Sequence, residues 1–252
     1  MKTLSVNLIS YNEIDFISKW YDCVQQYADD IIVCDTGSTD GTLEFLLDNK
    51  IKVLQCSQYD LLEKGFSYIR NITKSNTNTD YIHYLDCDEY VDEYFRKNIH
   101  NILKDIEGTD IQSLRIKTRT YKNNNNEQSD YNSIISNCES YDMNHVRIHK
   151  NIDQIKWGGY IHEEIFFNEQ NIATTKQHKQ IDTLIHHHFT EFRKQKLNDT
   201  KILKYEYMML NAYHNKSLQK YTNKWWYEVH VKERMDNSLQ NLLTLRNKLY
   251  DN

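Results

Sequence analysis

Two aspartates one residue apart, Asp86 and Asp88, follow the apolar run Tyr81-Ile82-His83-Tyr84-Leu85. Placed just past a strand, such a pair can hold Mg2+ or Mn2+ and still leave coordination positions for water and the two phosphates of a nucleotide. The ion reverses the local sign and stabilises a departing diphosphate. An isolated Asp-x-Asp is more often a solvated loop, so the strand ahead of it is what gives the pair weight.

Asp35 also closes an apolar run and leads into Thr36-Gly37-Ser38-Thr39-Asp40. Carboxylates at the carboxyl ends of parallel strands overhang the crevice in which α/β sheets bind ligands. Asp35 there can accept hydrogen bonds from a base or ribose, while the turn after it caps the next helix. The plainer alternative is that Ser38 and Asp40 do nothing but cap.

Further along, Trp157-Gly158-Gly159-Tyr160-Ile161-His162-Glu163-Glu164 joins aromatics, on which a sugar ring can stack, to two carboxylates. Glu163 is the chosen general base for an attacking hydroxyl, a role worth about 10²- to 10⁴-fold in rate. The alternative is a turn whose glutamates face water. In His186-His187-His188 a strand would put His186 and His188 on one face. One imidazole can complete the coordination of a metal at Asp88, which would favour Mn2+ over the harder Mg2+; simple packing or capping is the competing account. Arg70, beside Asn71, can reach phosphate or ribose, although a surface arginine is the default.

The elements that must position these side chains alternate. Strand patterns at 4–10, 30–35, 51–56 and 81–85 are separated by helical patterns at 14–27, 41–49 and 61–75. This βα rhythm with short connections predicts a parallel sheet covered by helices. After a helix over 92–106 the rhythm changes. Period-two alternation at 113–120, a polar loop at 121–130 with four successive asparagines, and strands at 143–149 and 184–189 predict a mixed second half. From Thr190 onward glycine is absent and leucines recur at helical spacing, so two or three helices should close the chain and pack on the body.

Composition is that of a globular protein, with 27% charged and 39% hydrophobic residues and no run apolar enough to span a bilayer. Residues 190–252 hold 12 Lys and Arg against 7 Asp and Glu, leaving 19 against 29 in the first 189. An acidic body argues against general nucleic-acid binding, whereas a basic helical tail can face anionic lipid or solvent. Five cysteines without a Cys-x-x-Cys pair are expected as buried thiols in a reducing compartment, and the N-terminus lacks a signal-like block. The expected location is cytoplasmic, with peripheral membrane contact left open.

Taken in order, Ser10-Tyr11-Asn12-Glu13, Asp35 to Thr42, Arg70-Asn71, Leu85-Asp86-Cys87-Asp88-Glu89 and Gly159-Tyr160-Ile161-His162-Glu163 resemble family 2 glycosyltransferases. The nearest subgroup resembles lipopolysaccharide-core β-glucosyltransferases. The resemblance implies a GT-A, Rossmann-like α/β fold: a mixed, mainly parallel sheet flanked by helices. It implies that Tyr11, Asn12, Glu13 and Asp35 line the nucleotide pocket with help from Arg70, Asp86 and Trp157. Asp86 and Asp88 would serve ribose, metal and diphosphate, with Asp88 the more direct ligand. Glu163 would be the base, and the adjacent Glu164 remains a candidate. Arg147 falls where the family often has an arginine, in a structural or phosphate-directed role. The family commonly has one histidine after the last strand; here there are three, and His186 is favoured over His188 as metal ligand.

The chain is therefore expected to comprise a catalytic domain at 1–189 and a helical extension at 190–252 that packs on it or mediates association, including homodimer formation. The expected reaction is inverting, metal-dependent (Mn2+ or Mg2+) transfer of a hexose-type sugar from a UDP-sugar. The acceptor would be a hydroxyl on a glycan, lipid-linked sugar or protein. A nucleotidyltransferase of similar fold is the first rival, but it would want a glycine-rich basic phosphate loop after the first strand, which Ser10-Tyr11-Asn12-Glu13 is not. A non-catalytic sugar-nucleotide-binding protein is the second.

Overall fold

The computed structural model describes residues 2–123 and 130–192, together with Lys204, Tyr207, Met208 and Asn211. Asn124 to Asn126 of the four-asparagine stretch and nearly all of the expected C-terminal helices lie outside the described residues.

The first half alternates as expected: β1 (Leu4–Ser10), α1 (Ile14–Val24), β2 (Asp30–Asp35), α2 (Thr42–Asp48), β3 (Lys52–Gln55), α3 (Gln58–Lys64), α4 (Phe66–Ser75) and β4 (Tyr81–Tyr84). Then come β5 (Glu89–Val91), α5 (Glu93–Asp105), β6 (Ser113–Tyr121), α6 (Tyr131–Asn137) and β7 (Ser140–Lys150). A small hairpin sheet, β8 (Ile155–Gly158), β9 (Glu164–Phe167) and β10 (Gln170–Asn171), precedes the long β11 (His178–His188).

The main sheet has the order β3-β2-β1-β4-β7-β6-β11-β5. The first four strands are parallel, β7 runs against both β4 and β6, β11 is parallel to β6, and β5 is antiparallel to β11. Six of eight strands thus point the same way, a mixed but mainly parallel sheet. Strand order reverses between β1 and β4, so the crevice for a ligand opens at their carboxyl ends. Ser10 and Asp35 end their strands side by side in register, and Asp86 follows β4 on the other side of β1.

The central strands are buried on both faces, which explains their nearly continuous apolar runs. Leu4, Val6, Leu8, Ile17, Trp20, Val24, Phe95, Ile99 and Leu103 form the principal core beneath α1 and α5. Trp20 Nε1 donates to the Leu85 carbonyl at 3.1 Å, which ties α1 to the backbone just before Asp86. Asp92 caps α5 by accepting from Phe95 N at 2.8 Å. Cys23, Cys34 and Cys87 are buried free thiols. No helix among the described residues is long and apolar enough to cross a membrane.

The structure corrects the single helix expected at 61–75. Ser57 and Asp60 form a capping box that starts α3 earlier, and Gly65, at φ +83°, separates it from α4. A Cβ at Gly65 would stand 2.4 Å from the Tyr160 carbonyl oxygen, so only glycine lets the loop before Glu163 lie against the break.

Candidate active site

Asp35 organises the end of the crevice between β1 and β2. Its Oδ1 accepts from the backbone N–H groups of Gly37 and Ser38 at 3.0 and 2.9 Å, and its Oδ2 from the hydroxyls of Ser10 and Ser38 at 2.9 and 2.5 Å. A carboxylate offers about four acceptor sites, so the loop itself already engages Asp35 fully. A base or ribose would have to displace one of the serine hydroxyls. Asn12, held at φ +55°, accepts from Thr39 N at 2.8 Å, and Thr42 Oγ1 accepts from Glu13 N at 2.8 Å. Asp40 serves two helices: its carboxylate accepts from Ile14 N, the first residue of α1, and from Thr42 N, the first of α2. Burial pushes its pKa up, but the bonds from Thr42 and Ile14 outweigh that and hold it below the usual range. Tyr11 is half-buried at the rim of the same loop.

At the end of β4 the charges are paired. Arg70, on the sheet-facing side of α4 and 7% exposed, directs Nε to Glu163 Oε1 at 2.5 Å and Nη2 to Asp86 Oδ1 at 3.4 Å. Its guanidinium also lies over the rings of Tyr84 and Trp157, 5.1 and 4.9 Å from their centroids. Burial works against its charge, but Glu163 and Asp86 outweigh burial and raise its pKa further. Arg70 is thus no surface arginine.

A second guanidinium reaches Asp86 from the other side: Arg147 Nη1 is 3.7 Å from Asp86 Oδ2, and its Nη2 donates to Glu89 Oε1. Glu89 is 1% exposed and its Oε2 accepts from Asp86 N at 3.0 Å. Burial pushes the Glu89 carboxyl up, with Arg147 opposing. Arg147 is the extra residue of a β-bulge, since Leu114 pairs with Ile148 and Arg115 with Val146. Bulges beside active sites re-aim a side chain in this way.

The histidines divide differently from expectation. His186 is fully buried: its Nε2 is 3.0 Å from His83 Nε2, and its ring packs on Phe95. Burial first, then the neighbouring His83 and Arg147, lower its pKa well below the ordinary value. That position belongs to the core, whereas the expectation put His186 ahead of His188 as metal ligand. His187 stacks on Tyr121 and meets its hydroxyl at 2.7 Å. His188, which pairs with Glu89 across β5, is the one that faces the motif, with Nε2 3.7 Å from Asp88 Oδ2 and Nδ1 3.2 Å from Thr120 Oγ1. Burial lowers its pKa, but Asp88 and Glu89 outweigh burial and raise it.

The loop carrying Glu163 is anchored on α4. Asn71 Oδ1 accepts from Trp157 N at 3.0 Å, and its Nδ2 donates to the Trp157 carbonyl at 2.8 Å. Tyr160 is buried, and its carbonyl accepts from Phe66 N at 3.0 Å. Glu163 follows His162, at φ +54°, and Glu164 opens β9 opposite Gly158.

The model of the glycosyl transferase family 2 matches residues 5–195. The chain belongs to glycosyl transferase family 2. Its fold is the GT-A fold, with the mixed, mainly parallel sheet described above. Among solved structures, TarS of S. aureus is 22% identical, covering 50% of this chain and 23% of TarS with a TM-score of 0.39. A 1–349 fragment of S. aureus TarS in complex with UDP-GlcNAc is 20% identical over 50% of this chain and 37% of that one, with a TM-score of 0.40. Glucosyl-3-phosphoglycerate synthase from Mycobacterium tuberculosis, in complex with Mn2+, UDP and glucosyl-3-phosphoglycerate, is 22% identical over 47% and 44%, with a TM-score of 0.36. The aligned parts span less than half of those chains.

Within this family 2 chain, Arg70, Asp86, Glu163 and Trp157 come together in one cluster, and Asn12, Glu13 and Asp35 in another across the end of β1. Asp88 and His188 form a third, pairwise group. Glu89 gives no signal in the sequence beyond its place after the motif, because its partner Arg147 lies 58 residues away. Among the described residues no three His, Cys, Asp or Glu side chains converge to enclose a metal ion. The donors nonetheless suit a shared cation: a hard ion such as Mg2+ is commonly held by one or two carboxylates with the rest supplied by phosphates and water. Asp88 supplies such a carboxylate, and the His188 nitrogen beside it suits Mn2+ better than Mg2+. Asp86, flanked by two guanidiniums, does not suit direct cation ligation.

Proposed function

We propose that this chain is an inverting glycosyltransferase that moves a hexose-type sugar from a UDP-sugar to a hydroxyl acceptor, with a divalent ion at Asp88 and His188. The reading is supported chiefly by one observation: Arg70 joins the carboxylate after β4 to the carboxylate of the β8–β9 loop, so donor and acceptor elements meet at one guanidinium. The finer likeness, to lipopolysaccharide-core β-glucosyltransferases, belongs to the same proposal.

The donor lies with its nucleoside toward Tyr11, Asn12, Glu13 and Asp35. Asp86, fixed by Arg70, Arg147 and the bond from its own backbone to Glu89, accepts from the ribose rather than binding metal. When bound, Mn2+ or Mg2+ neutralises the diphosphate as it departs. Arg70 Nη1, buried without a hydrogen-bond partner among the described residues, is a spare donor in the same cluster. The acceptor hydroxyl gives its proton to Glu163 and its oxygen bonds to the anomeric carbon as the bond to the diphosphate breaks. One displacement from the opposite face inverts configuration, and no side-chain nucleophile takes part. Trp157 offers a flat apolar surface beside the base.

The deciding experiment incubates the full chain with a panel of nucleotide sugars and Mn2+ and follows release of nucleoside diphosphate, with Asp88→Ala as control. Release from a UDP-sugar that Asp88→Ala abolishes supports the reading; no release from any sugar nucleotide, or wild-type release by Asp88→Ala, sinks it.

A further inference from the structure

Lys204 follows the catalytic sheet in the chain, yet its Nζ lies 3.3 Å from the centroid of the Tyr11 ring, just past the carboxyl end of β1, the strand between β2 and β4. Its neighbours hold it there. Lys204, Tyr207, Met208 and Asn211 are each helical and have the i, i+3, i+4, i+7 spacing of one helix face. Met208 is fully buried, Tyr207 Oη donates to Glu63 Oε1 at 3.4 Å, and Asn211 Nδ2 donates to Tyr160 Oη at 3.1 Å. The face therefore touches the rim of the nucleoside loop through Tyr11, α3 through Glu63, and the loop leading to Glu163 through Tyr160.

The ammonium of Lys204 lies over the Tyr11 face, with Glu13 the carboxylate that acts on its charge. Burial dominates and pulls its ammonium down to about 8, with only Glu13 opposing. An ammonium has three donors and no acceptor, so the ligand that complements it is an anion. The rest of the crevice is rich in carboxylates, among them Glu13, Asp35, Asp86 and Asp88. The anionic part of a nucleotide sugar is its diphosphate.

We infer that Lys204 is a donor-binding residue whose ammonium pairs with the phosphates of a nucleoside diphosphate entering beside Tyr11. The inference rests on the reading of Tyr11, Glu13 and Asp35 as the nucleoside pocket. It assigns to the segment after the sheet a part in binding the donor, distinct from packing or association.

The test is calorimetric titration of the full chain with UDP, and with GDP in parallel, in buffer containing Mn2+. Lys204→Met keeps the aliphatic stem over Tyr11 and removes the charge; Lys204→Arg keeps the charge. The expected result is that Met weakens binding by about tenfold, the effect of one charge-assisted bond, and that Arg restores it to within about threefold. Wild-type affinity in Lys204→Met overturns the inference, as does equal loss in both variants, which would mark a packing role. Those outcomes leave the donor pocket standing because the wild type still binds. A wild type that binds neither nucleotide would instead bring down the functional reading, and Lys204 with it.

Discussion

Arg70 Nε stands 2.5 Å from Glu163 Oε1, across 93 residues of sequence. A single guanidinium from α4 thereby fixes the carboxylate proposed as base and the carboxylate proposed for the ribose. Each is positioned by the other's partner, so the two halves of the site are energetically coupled.

Removing that guanidinium takes the cation from the largely buried Glu163, while Asp86, more exposed, keeps Arg147. Arg70→Ala is expected to cost about 3 kcal/mol of stability, the range for breaking a buried ion pair, and to abolish measurable transfer. Urea denaturation of Arg70→Ala, Glu163→Gln and the double variant checks it: coupling makes the double loss smaller than the sum of the single losses. Strict additivity would contradict the coupling.

Glu163→Gln should lower kcat by about 10²- to 10⁴-fold while leaving donor KM nearly unchanged, because a base acts in the transition state. Glu164→Gln, across from Gly158 at the start of β9, should retain activity within about threefold. Steady-state kinetics in which the two variants exchange these phenotypes would move the base to Glu164.

His186 and His188 should separate metal use from folding. His188→Ala is expected to raise the Mn2+ concentration needed for half-maximal turnover by about tenfold or more. His186→Ala should lower the melting temperature and leave that concentration alone. Mn2+ titrations after chelation with EDTA, alongside thermal melts, distinguish the two; an unchanged Mn2+ requirement in His188→Ala would exclude it as a ligand.

The pH dependence of UDP binding follows from Lys204. Burial depresses its pKa to about 8, Glu13 opposing, and phosphate favours the charged form. Binding therefore takes up protons near pH 8, is strongest below about pH 7, and weakens as the pH rises through the free protein's value. Calorimetry at pH 8 in two buffers of different ionisation enthalpy measures the uptake, which should vanish in Lys204→Met.

Gly65→Ala should destabilise the fold by about 2 kcal/mol or more, since the new methyl meets the Tyr160 carbonyl and φ is positive. Chemical denaturation reads the loss directly, and a wild-type midpoint would mean that the loop before Glu163 lies elsewhere.

The limits of β1 and β2 were legible residue by residue in the sequence because both strands are buried on both faces and end at polar turns. The break at Gly65 was not, because its reason is Tyr160, a residue nearly 100 positions on. β5 escaped notice because three residues cannot display a period, and its partner β11 is distant. In the site, the Asp-x-Asp pair, Arg70 and Glu163 stood out by residue type and order. Period-two alternation could say that His186 and His188 share a face, but not that one is sunk against His83 while the other reaches Asp88. The Glu89–Arg147 pair depends on a bulge, a matter of inter-strand register that no local pattern carries.

Asn71 grips residue 157 only through that residue's backbone N–H and carbonyl. The attachment is blind to which side chain position 157 carries, whereas Arg70, one residue earlier on the same helix, reads the identity of its carboxylate partners. Mutation can therefore explore the aromatic surface next to the proposed base while the loop stays in register. On the proposed roles, divergence among descendants of this sequence should accumulate in what they glycosylate sooner than in how the proton is removed.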